Sequence, residues 1–328
     1  MQTLGIGLIG VGKHGERYAR HIVDDFPQLR LVAIARRNPE QLAQQSAQFN
    51  CRGHTDFREL IEAPDVDAVI VVVPPTSHPQ IIASAANARK PVLLEKPAAA
   101  SVEAGRAMLQ QTRRAEIAVM VAQTLRFNGV VKSMLGVRQR IGRIHSLRIG
   151  QRFEPSRPGW IDDPAIAGGG MTLHTGVHCF DLVRLLSGLE VDRVACEMSR
   201  VGTARSEDNF AATLRLGGGA ALATVAGSRA TASRSGAIEL AGSNGQLIGD
   251  HVLNFGSEVH GTAVSQLQVP PPAATVREVI AAFSTALQAR QPMPIPFEEG
   301  LRAVAVADAC YRSAASGRME NVEAIDGR

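Results

Sequence analysis

The first 122 residues of the chain alternate short apolar runs with amphipathic stretches, and no other feature constrains the fold as strongly. The run at 66–73 is almost unbroken in β-branched residues, which is typical of a central parallel strand covered on both faces. Strand–helix alternation of this length predicts an α/β fold with a doubly wound parallel sheet. The predicted strands are 4–9, 29–35, 66–73, 91–94 and 117–122, and the predicted helices between them include 39–49, 81–88 and 102–113.

The pattern changes after residue 122, so we predict two domains, 1–122 and 123–328. Residues 144–153 alternate like a half-buried strand, and the turn signals at 217–219 and 243–245 each separate two apolar runs, which predicts two hairpins. Helices are predicted at 130–141, 276–290 and 300–316. The second domain is therefore predicted to be α+β, with a large and mostly antiparallel sheet.

Composition and charge exclude several classes of protein. The net charge of +4 is spread along the chain, and the densest basic run, 138–157, contains one aromatic residue, Phe153. Nucleic-acid binding usually adds several stacking aromatics, so we predict a solvated basic face and no nucleic-acid partner. The four cysteines form no C-x-x-C pair, which is typical of a reducing compartment. With no signal-peptide pattern and no apolar run that could span a bilayer, we expect a cytoplasmic protein without a membrane partner.

A glycine-rich turn, Gly10-x-Gly12-x-x-Gly15, joins the first predicted strand to the first predicted helix. In this context the first glycine permits a tight turn, the second lets the backbone approach a pyrophosphate, and the third allows close packing of helix and strand. We therefore predict a dinucleotide site that includes the intervening Lys13 and His14. The alternative is a glycine-rich turn without a ligand.

The end of the second predicted strand indicates which dinucleotide is bound. An acidic residue at this place would bind the adenosine ribose of NAD, but the chain reads Ala35-Arg36-Arg37-Asn38. Arg36 and Arg37 can instead hold a 2′-phosphate through charge-assisted hydrogen bonds. The sequence therefore favours NADP over NAD, with two solvated arginines as the alternative.

A lysine follows the strand predicted at 91–94, in the tripeptide Glu95-Lys96-Pro97. This point lies at the carboxyl edge of the sheet, where doubly wound folds bind their ligands. Lys96 is predicted to polarise or hold a substrate oxygen there. On its own the tripeptide would equally describe an exposed lysine beside a proline that starts a helix.

Two histidines, His174 and His178, follow three consecutive glycines, Gly168 to Gly170. A spacing of four residues places both imidazoles on one face of a helix, where they could move protons or bind metal. The metal reading would add Asp181, but the glutamate of H-E-x-x-H and a distant third ligand are both missing, so we predict no metal site. The remaining alternative is a pair of helix residues with ordinary hydrogen bonds.

Taken together, the motifs resemble those of the glucose-fructose oxidoreductase and inositol dehydrogenase family (Gfo/Idh/MocA) over nearly the whole chain. Each motif is modest alone, but the ordered set is specific. The motifs are Gly10-x-Gly12-x-x-Gly15, Val73-Pro74-Pro75-Thr76-Ser77-His78, Glu95-Lys96-Pro97, Arg126-Phe127, residues 168–181, and residues 299–301 through 307–309.

The resemblance implies an N-terminal Rossmann domain and a C-terminal domain whose open antiparallel sheet often serves as an oligomer interface. It further implies a homodimer or homotetramer that oxidises or reduces sugars, inositols or related polyols with NAD(P). Lys96 and His178 match the family's catalytic lysine and histidine, and Pro74 and Pro75 would lie near the nicotinamide ribose. The chain departs from the family at His174, where many members carry an aspartate that assists the catalytic pair.

Several further residues are candidates for contacts with ligands. His78 could touch the cofactor or start a helix, Gln123 and Arg126 would line the cleft, and Trp160 could stack on a sugar ring or fill an interface. The predicted catalytic residues are Lys96, His178 and His174. The predicted cofactor-binding residues are Gly10, Gly12, Lys13, His14, Gly15, Arg36, Arg37, Pro74, Pro75, His78, Glu95 and Lys96. The predicted substrate-binding residues are Lys96, Gln123, Arg126, Trp160, His174 and His178.

These residues together predict hydride transfer between nicotinamide C4 and a secondary hydroxyl or ketone of a sugar or polyol. Two other functions remain open at this point. One is a glycosidase of the same fold that uses NAD with no net redox change, and the other is a non-catalytic regulator that senses a dinucleotide. The presence of both Lys96 and His178 argues against the regulator, because a sensor needs neither.

Overall fold

A computed structural model describes residues 3–155 and 159–325. The chain forms two compact units, one comprising the residues up to Thr124 together with Ala274–Leu301, and the other comprising Leu125–Ala273 and the residues from Arg302 on. The first break lies close to the predicted boundary after residue 122. The segment 274–301, which the sequence pattern assigned to the second domain, belongs to the first unit.

The first unit is built on six strands, and every neighbouring pair is parallel, in the order β3-β2-β1-β4-β5-β6. The strands are β1 (Leu4–Ile9), β2 (Leu29–Ala35), β3 (Arg52–His54), β4 (Ala68–Val71), β5 (Val92–Glu95) and β6 (Val119–Ala122). The helices are α1 (Lys13–Asp25), α2 (Pro39–Phe49), α3 (Phe57–Glu62), α4 (His78–Asn87) and α5 (Val102–Ala115). This order confirms the predicted doubly wound sheet.

The order of the strands decides which loops meet at the carboxyl edge of this sheet. Strands β1, β4, β5 and β6 are consecutive neighbours. Because parallel strands end at the same edge, the loops that follow them lie side by side there. These are the glycine-rich turn after β1, the Val73–Pro75 loop after β4, Lys96 after β5 and Gln123 after β6. The fold therefore gathers the predicted cofactor-binding loops of this unit.

The segment 274–301 joins the first unit through main-chain and helix contacts. Val121 of β6 donates its N–H to Ile295 at 2.9 Å, and Met120 forms a bridge with Pro296. The helix Thr275–Ala289 packs against α1, where Arg277 approaches Asp25 at 3.6 Å. These contacts explain why a segment late in the sequence completes a unit formed mainly by the first 124 residues.

The second unit is built on nine strands in the order β14-β13-β12-β11-β7-β10-β9-β8-β15. All neighbouring pairs are antiparallel except β7 and β10, which run parallel. The strands are β7 (Ile144–Arg152), β8 (Val191–Ser199), β9 (Asn209–Leu216), β10 (Ala221–Ser228), β11 (Ala237–Gly242), β12 (Gly245–Asp250), β13 (Phe255–His260), β14 (Ala263–Gln266) and β15 (Glu320–Asn321). The predicted mostly antiparallel sheet is confirmed, as are the hairpins at 217–219 and 243–245.

The remaining helices are α6 (Gly129–Val137), α7 (Pro164–Ala167), α8 (Val177–Ser187), α9 (Thr275–Ala289), which belongs to the first unit, and α10 (Phe297–Ser316), which contributes residues to both units. Of these, α6 packs against β12 and β13, and α8 packs against β7 and β10. Alternate residues of β7 and β10, such as Leu147, Ile149, Ala223 and Val225, are almost fully buried on the side where α8 packs. No helix formed by the described residues is both long and apolar enough to cross a membrane.

Candidate active site

The glycine-rich turn of the first unit is tightly packed at Gly10 and Gly15 and open at Gly12. Gly10 adopts a φ of +92°, and a Cβ there would lie 2.2 Å from the carbonyl oxygen of Val72. A Cβ at Gly15 would lie 1.9 Å from the carbonyl oxygen of Gly10, whereas the space in front of Gly12 is open. Helix α1 starts directly after this opening. Open space at the N-terminus of a helix is the arrangement that binds a dinucleotide pyrophosphate, so the turn fits the cofactor predicted for it.

Arg36 lies against the same turn. Its Nη1 donates to the carbonyl oxygen of Val11 at 2.6 Å and to Oε1 of Gln45 at 2.9 Å, and its Nη2 donates to Gln41. Arg37 is exposed to solvent. The structure thus fixes one positive charge directly beside the predicted ribose end of the site and leaves the next arginine free to reorient.

Glu95 ties the end of β5 to the helix that follows the glycine-rich turn. Its Oε1 accepts hydrogen bonds from Tyr18 at 2.6 Å and from the ring of His14 at 2.8 Å, and its Oε2 accepts from the main-chain N–H of Lys96 at 3.0 Å. Burial alone would raise the pKa of this carboxyl, but the hydrogen bonds and the positive charges of His14 and Lys96 lower the pKa to about 2. Glu95 is therefore a fixed negative charge that holds the backbone of Lys96.

This carboxylate makes the stability of the fold depend on pH. The pKa of Glu95 is about 4.3 in an unfolded chain and about 2 in the fold. The ionised carboxylate therefore stabilises the fold fully above about pH 4.3, and this stabilisation is lost as the pH falls through about 2. We expect the free energy of unfolding of the wild type, relative to Glu95→Gln, to drop by up to about 3 kcal/mol between about pH 5 and pH 2. Denaturant titrations followed by circular dichroism measure it, with the exposed Glu103→Gln as control. A difference independent of pH would mean that the pKa of Glu95 is the same in the folded and the unfolded chain.

His78 is placed to support the cofactor loop. Its ring is fully buried, with Nε2 3.1 Å from the carbonyl oxygen of Val73 and Nδ1 3.2 Å from that of Ala98. Burial lowers the pKa of the ring, against the opposite effect of the two carbonyl contacts. Contacts of this kind fix the loop that carries Pro74, which is half-buried, and Pro75, which is buried.

Gln123 lies at the end of β6, and its side chain is 1% exposed. Within residues 3–155 and 159–325 its Oε1 has no hydrogen-bond partner. A buried carbonyl oxygen without a donor is unfavourable by about 1–3 kcal/mol, which suits a position where a ligand supplies the donor.

In the second unit, the two histidines do not lie on one regular α-helix. Thr172–Gly176 forms a π-helical turn, and α8 begins only at Val177. His174 is buried in this π-turn, with Nε2 2.9 Å from the carbonyl oxygen of Ala167 and its ring edge-on to Trp160 at 5.6 Å between centroids. His178 is half-buried in the first turn of α8. A π-turn immediately before the predicted base is typical of functional sites.

Two residues that the sequence pattern did not reveal, Glu207 and Tyr311, bind the main chain where the π-turn begins. Three consecutive N–H groups are used: that of Gly170 donates to the Tyr311 hydroxyl at 3.0 Å, that of Met171 to the Glu207 carbonyl oxygen at 2.9 Å, and that of Thr172 to Glu207 Oε1 at 2.9 Å. The Tyr311 hydroxyl itself donates to Glu207 Oε1 at 2.8 Å.

The same contacts explain the glycines. A Cβ at Gly169 would lie 2.3 Å from the Tyr311 hydroxyl, and a Cβ at Gly170 would lie 2.1 Å from the Glu207 carbonyl oxygen. Gly169 and Gly170 are therefore required by the close approach of these two residues, whereas Gly168 adopts a φ of +75°. No local signal identifies Glu207 or Tyr311, because they lie 35 and 139 residues after Thr172 in the sequence.

Arg126 and Asp181 form a nearly buried bidentate ion pair. Arg126 Nε lies 2.8 Å from Oδ2 of Asp181, and Nη2 lies 2.6 Å from Oδ1. Both oxygens of Asp181, one helical turn after His178, are thus engaged by the guanidinium. Among residues 3–155 and 159–325, no group of three histidine, cysteine or acidic side chains is arranged to hold a metal ion. The pair instead fixes the orientation of α8.

Trp160 lies beside the π-turn, in contact with the ring of His174, and it is 38% exposed. The segment around it is anchored by Asp162, whose carboxylate accepts from the N–H groups of Ala204, Arg205 and Ser206 at 2.9–3.0 Å. An indole that is half in solvent and edge-on to His174 is available for stacking.

Comparison with known proteins agrees with this description. Residues 4–123 match the family described as "Oxidoreductase family, NAD-binding Rossmann fold", and residues 129–248 match the "GFO/IDH/MocA C-terminal domain". Myo-inositol 2-dehydrogenase of Thermotoga maritima is 30% identical over 257 residues, which are 75% of each chain. Levoglucosan dehydrogenase of Pseudarthrobacter phenanthrenivorans is 32% identical over 242 residues, which are 69% of this chain and 60% of the relative.

A solved structure shows the same fold. Levoglucosan dehydrogenase in complex with NADH and L-sorbose superposes with a TM-score of 0.89 at 24% identity, over 99% of this chain and 100% of that one. Fold and sequence define the class of the protein as an oxidoreductase that acts on CH–OH groups and whose Rossmann domain binds a nicotinamide cofactor. The chain belongs to the GFO/IDH/MocA family, which confirms the resemblance stated from its motifs.

Proposed function

We propose that this enzyme transfers a hydride between nicotinamide C4 and a secondary hydroxyl or ketone of a sugar, inositol or related polyol. The observation that carries the proposal is the Glu95 contact set. Because Glu95 is bonded to His14 and Tyr18 of α1 and to the main chain of Lys96, the lysine is held beside the phosphate-binding turn. The printed activities of the relatives, on inositol and levoglucosan, support a substrate of this kind.

Each residue of the site then has a specific part. When bound, the nicotinamide ring supplies the carbon that accepts or returns the hydride. In the oxidation direction His178 accepts the proton of the substrate hydroxyl, and Lys96 donates a hydrogen bond to the same oxygen and stabilises its developing charge. His174, whose Nε2 faces the Ala167 carbonyl oxygen, positions the substrate or passes the proton outward, while Trp160 offers a stacking face.

The preferred cofactor is proposed to be NADP, because Arg36 stands where an acidic residue would select NAD. We expect Arg36→Asp to shift the ratio of kcat/KM for NADP to that for NAD by about 10-fold or more toward NAD, since a charge-assisted contact to a phosphate is replaced by repulsion. Steady-state kinetics with both cofactors measure the ratio. Arg30→Asp, at the opposite end of β2, is the matched control and should leave it unchanged. An unaltered ratio in Arg36→Asp would show that this arginine does not read the cofactor.

The function itself is tested by the absorbance of the reduced nicotinamide. Purified enzyme is scanned against inositols, levoglucosan, anhydro sugars and aldoses with each cofactor in turn. Substrate-dependent formation of the reduced cofactor is expected for at least one of them. Hydrolysis of an aryl glycoside without any change in that absorbance would establish the glycosidase instead. Cofactor binding with neither reaction would establish a regulator.

The assembly of the enzyme is a further proposal, taken from what its family resemblance implies. We propose a homodimer or homotetramer that forms through the nine-stranded sheet, on whose uncovered side Leu222 is 56% exposed. Sedimentation of the purified protein measures the assembly. A cytoplasmic location without nucleic-acid partners is proposed from the sequence alone.

A further inference from the structure

An arginine that neither the motifs nor the proposed mechanism uses lies against the π-turn. Arg229 directly follows β10, and its main-chain N–H donates to the carbonyl oxygen of Asp208 at 2.8 Å. Its Nη2 donates to Oγ1 of Thr175 at 3.2 Å. Thr175 is the residue after His174 and stands three positions before His178, about one helical turn. The guanidinium is therefore attached to the segment that carries the proposed base.

The charge of Arg229 is poorly compensated by the protein. Two carboxylates lie in its neighbourhood, those of Glu207 and Asp208, but both are bonded to other groups. Glu207 Oε1 accepts from Thr172 and Tyr311, and Asp208 accepts from the N–H groups at 201 and 202 and from the side-chain amide at 209. In the part of the chain that the structure describes, no carboxylate lies within ion-pair distance of Arg229.

The positive charge and the N–H donors of Arg229 are only partly satisfied by the protein. Burial lowers the pKa of the Arg229 guanidinium, and the attraction of Glu207, Asp208 and the Tyr311 oxygen does not offset that effect. A guanidinium has five N–H donors, and in the described residues one of them is used, by Thr175. None of its nitrogen atoms is both closed off from solvent and without a partner. The remaining donors can therefore be reached by a ligand at the π-turn.

We propose that Arg229 binds an anionic group of the substrate, so that the preferred substrates are sugars or polyols bearing a carboxylate or a phosphate. A planar guanidinium with open donors binds either oxyanion through two parallel hydrogen bonds. This inference rests on the proposed function, since it names the substrate class of the same site. It also separates this chain from relatives whose printed substrates, inositol and levoglucosan, are neutral.

The test measures binding separately from turnover. Isothermal titration calorimetry on the enzyme saturated with NADPH, which cannot accept a hydride from these hydroxyl groups, compares matched ligands that differ in one group: D-glucuronate and D-glucose 6-phosphate against D-glucose, D-galacturonate against D-galactose, and an inositol phosphate against myo-inositol. At least one anionic ligand should bind about 10- to 100-fold more tightly than its neutral partner, as expected for a charge-assisted bidentate contact. The arm with the larger preference identifies carboxylate or phosphate.

Variants then assign the preference to this residue. Arg229→Met should remove most of the preference, and Arg229→Lys should retain part of it, because an ammonium keeps the charge and loses the bidentate geometry. Arg234→Met is the control: that arginine is exposed, pairs with Glu154 at 2.5 Å, and should leave the preference intact. Circular dichroism verifies that the variants are folded. If Arg229→Met does not fold, the reduced preference expected of Arg229→Lys is the test.

The possible outcomes are distinct. Equal binding of every anionic ligand and its neutral partner overturns the inference, and so does a preference that survives in both Arg229 variants. If the inference is overturned in this way but a neutral polyol is oxidised efficiently, the proposed function still holds. If anions bind through Arg229 but no ligand changes the absorbance of the cofactor, the binding site stands and the proposed oxidoreductase activity on these compounds fails.

Discussion

Replacing Lys96 with methionine is expected to lower kcat about 1,000-fold, while the dissociation constant of the cofactor stays nearly unchanged. The lysine is the residue that supplies a positive hydrogen-bond donor at the carboxyl edge of the parallel sheet, directly after Glu95. Donors that meet developing charge on a reacting oxygen act mainly in the transition state, so their loss reduces kcat more than it raises KM. Methionine keeps the length and the apolar stem of the side chain and removes only the charge.

The matched control for this variant is Lys90→Met, the same exchange in the same unit. Lys90 follows α4, and its Nζ donates to the carbonyl oxygen of Val66 at 2.5 Å, so its replacement affects stability and not turnover. Cofactor binding is measured by fluorescence titration and turnover by cofactor absorbance. A Lys96→Met enzyme with wild-type kcat would remove the lysine from the mechanism.

The second large effect is expected for His178→Gln, which should lower kcat/KM for oxidation by about 100- to 1,000-fold. A histidine base must be neutral to accept the hydroxyl proton, so wild-type oxidation should rise with pH as the ring loses its proton. Glutamine cannot titrate, and the remaining activity of the variant should lack that rise. A merely structural histidine would change the rate without changing the shape of the pH profile.

His145→Gln provides the control for that experiment. His145 lies in β7 of the same unit, and its side chain is exposed, so the exchange is chemically identical and remote from the π-turn. It should leave both the rate and the pH profile as in the wild type. If His178→Gln retains the rise of rate with pH, another group is the base, and His174, four residues earlier, is the first residue to replace.

The parts of the fold that depend on local sequence were predicted well. The glycine-rich turn, the parallel strands and the hairpins follow from short-range patterns of apolar residues and glycines, and the structure confirms them. The short strand β3 was not predicted, because Arg52-Gly53-His54 contains no apolar residue. The segment 274–301 joins the first unit through main-chain bonds to Val121, a contact over more than 170 residues that no local pattern encodes.

The same distinction between local motifs and distant contacts applies to the candidate site. Lys96 and His178 were identified from motifs, and their roles stay proposals. The supporting shell of the π-turn was not found, since Glu207, Tyr311 and Arg229 reach it from distant parts of the sequence. The structure adds that two nitrogen atoms of Arg126 bind Asp181, while its predicted contact with substrate stays a prediction. Partner choice of this kind is decided by three-dimensional packing and has no signature along the chain.

The contacts of Glu207 and Tyr311 also set a rule for anyone who redesigns this enzyme. Two side chains satisfy the amides of Gly170 and Thr172, and their approach leaves no room for a side chain at positions 169 and 170. Residues 168–172, 207 and 311 thus behave as one transplantable module. A loop taken from a relative to alter the substrate range must bring its own residues for positions 207 and 311, or the turn that precedes His178, the proposed base, will be distorted.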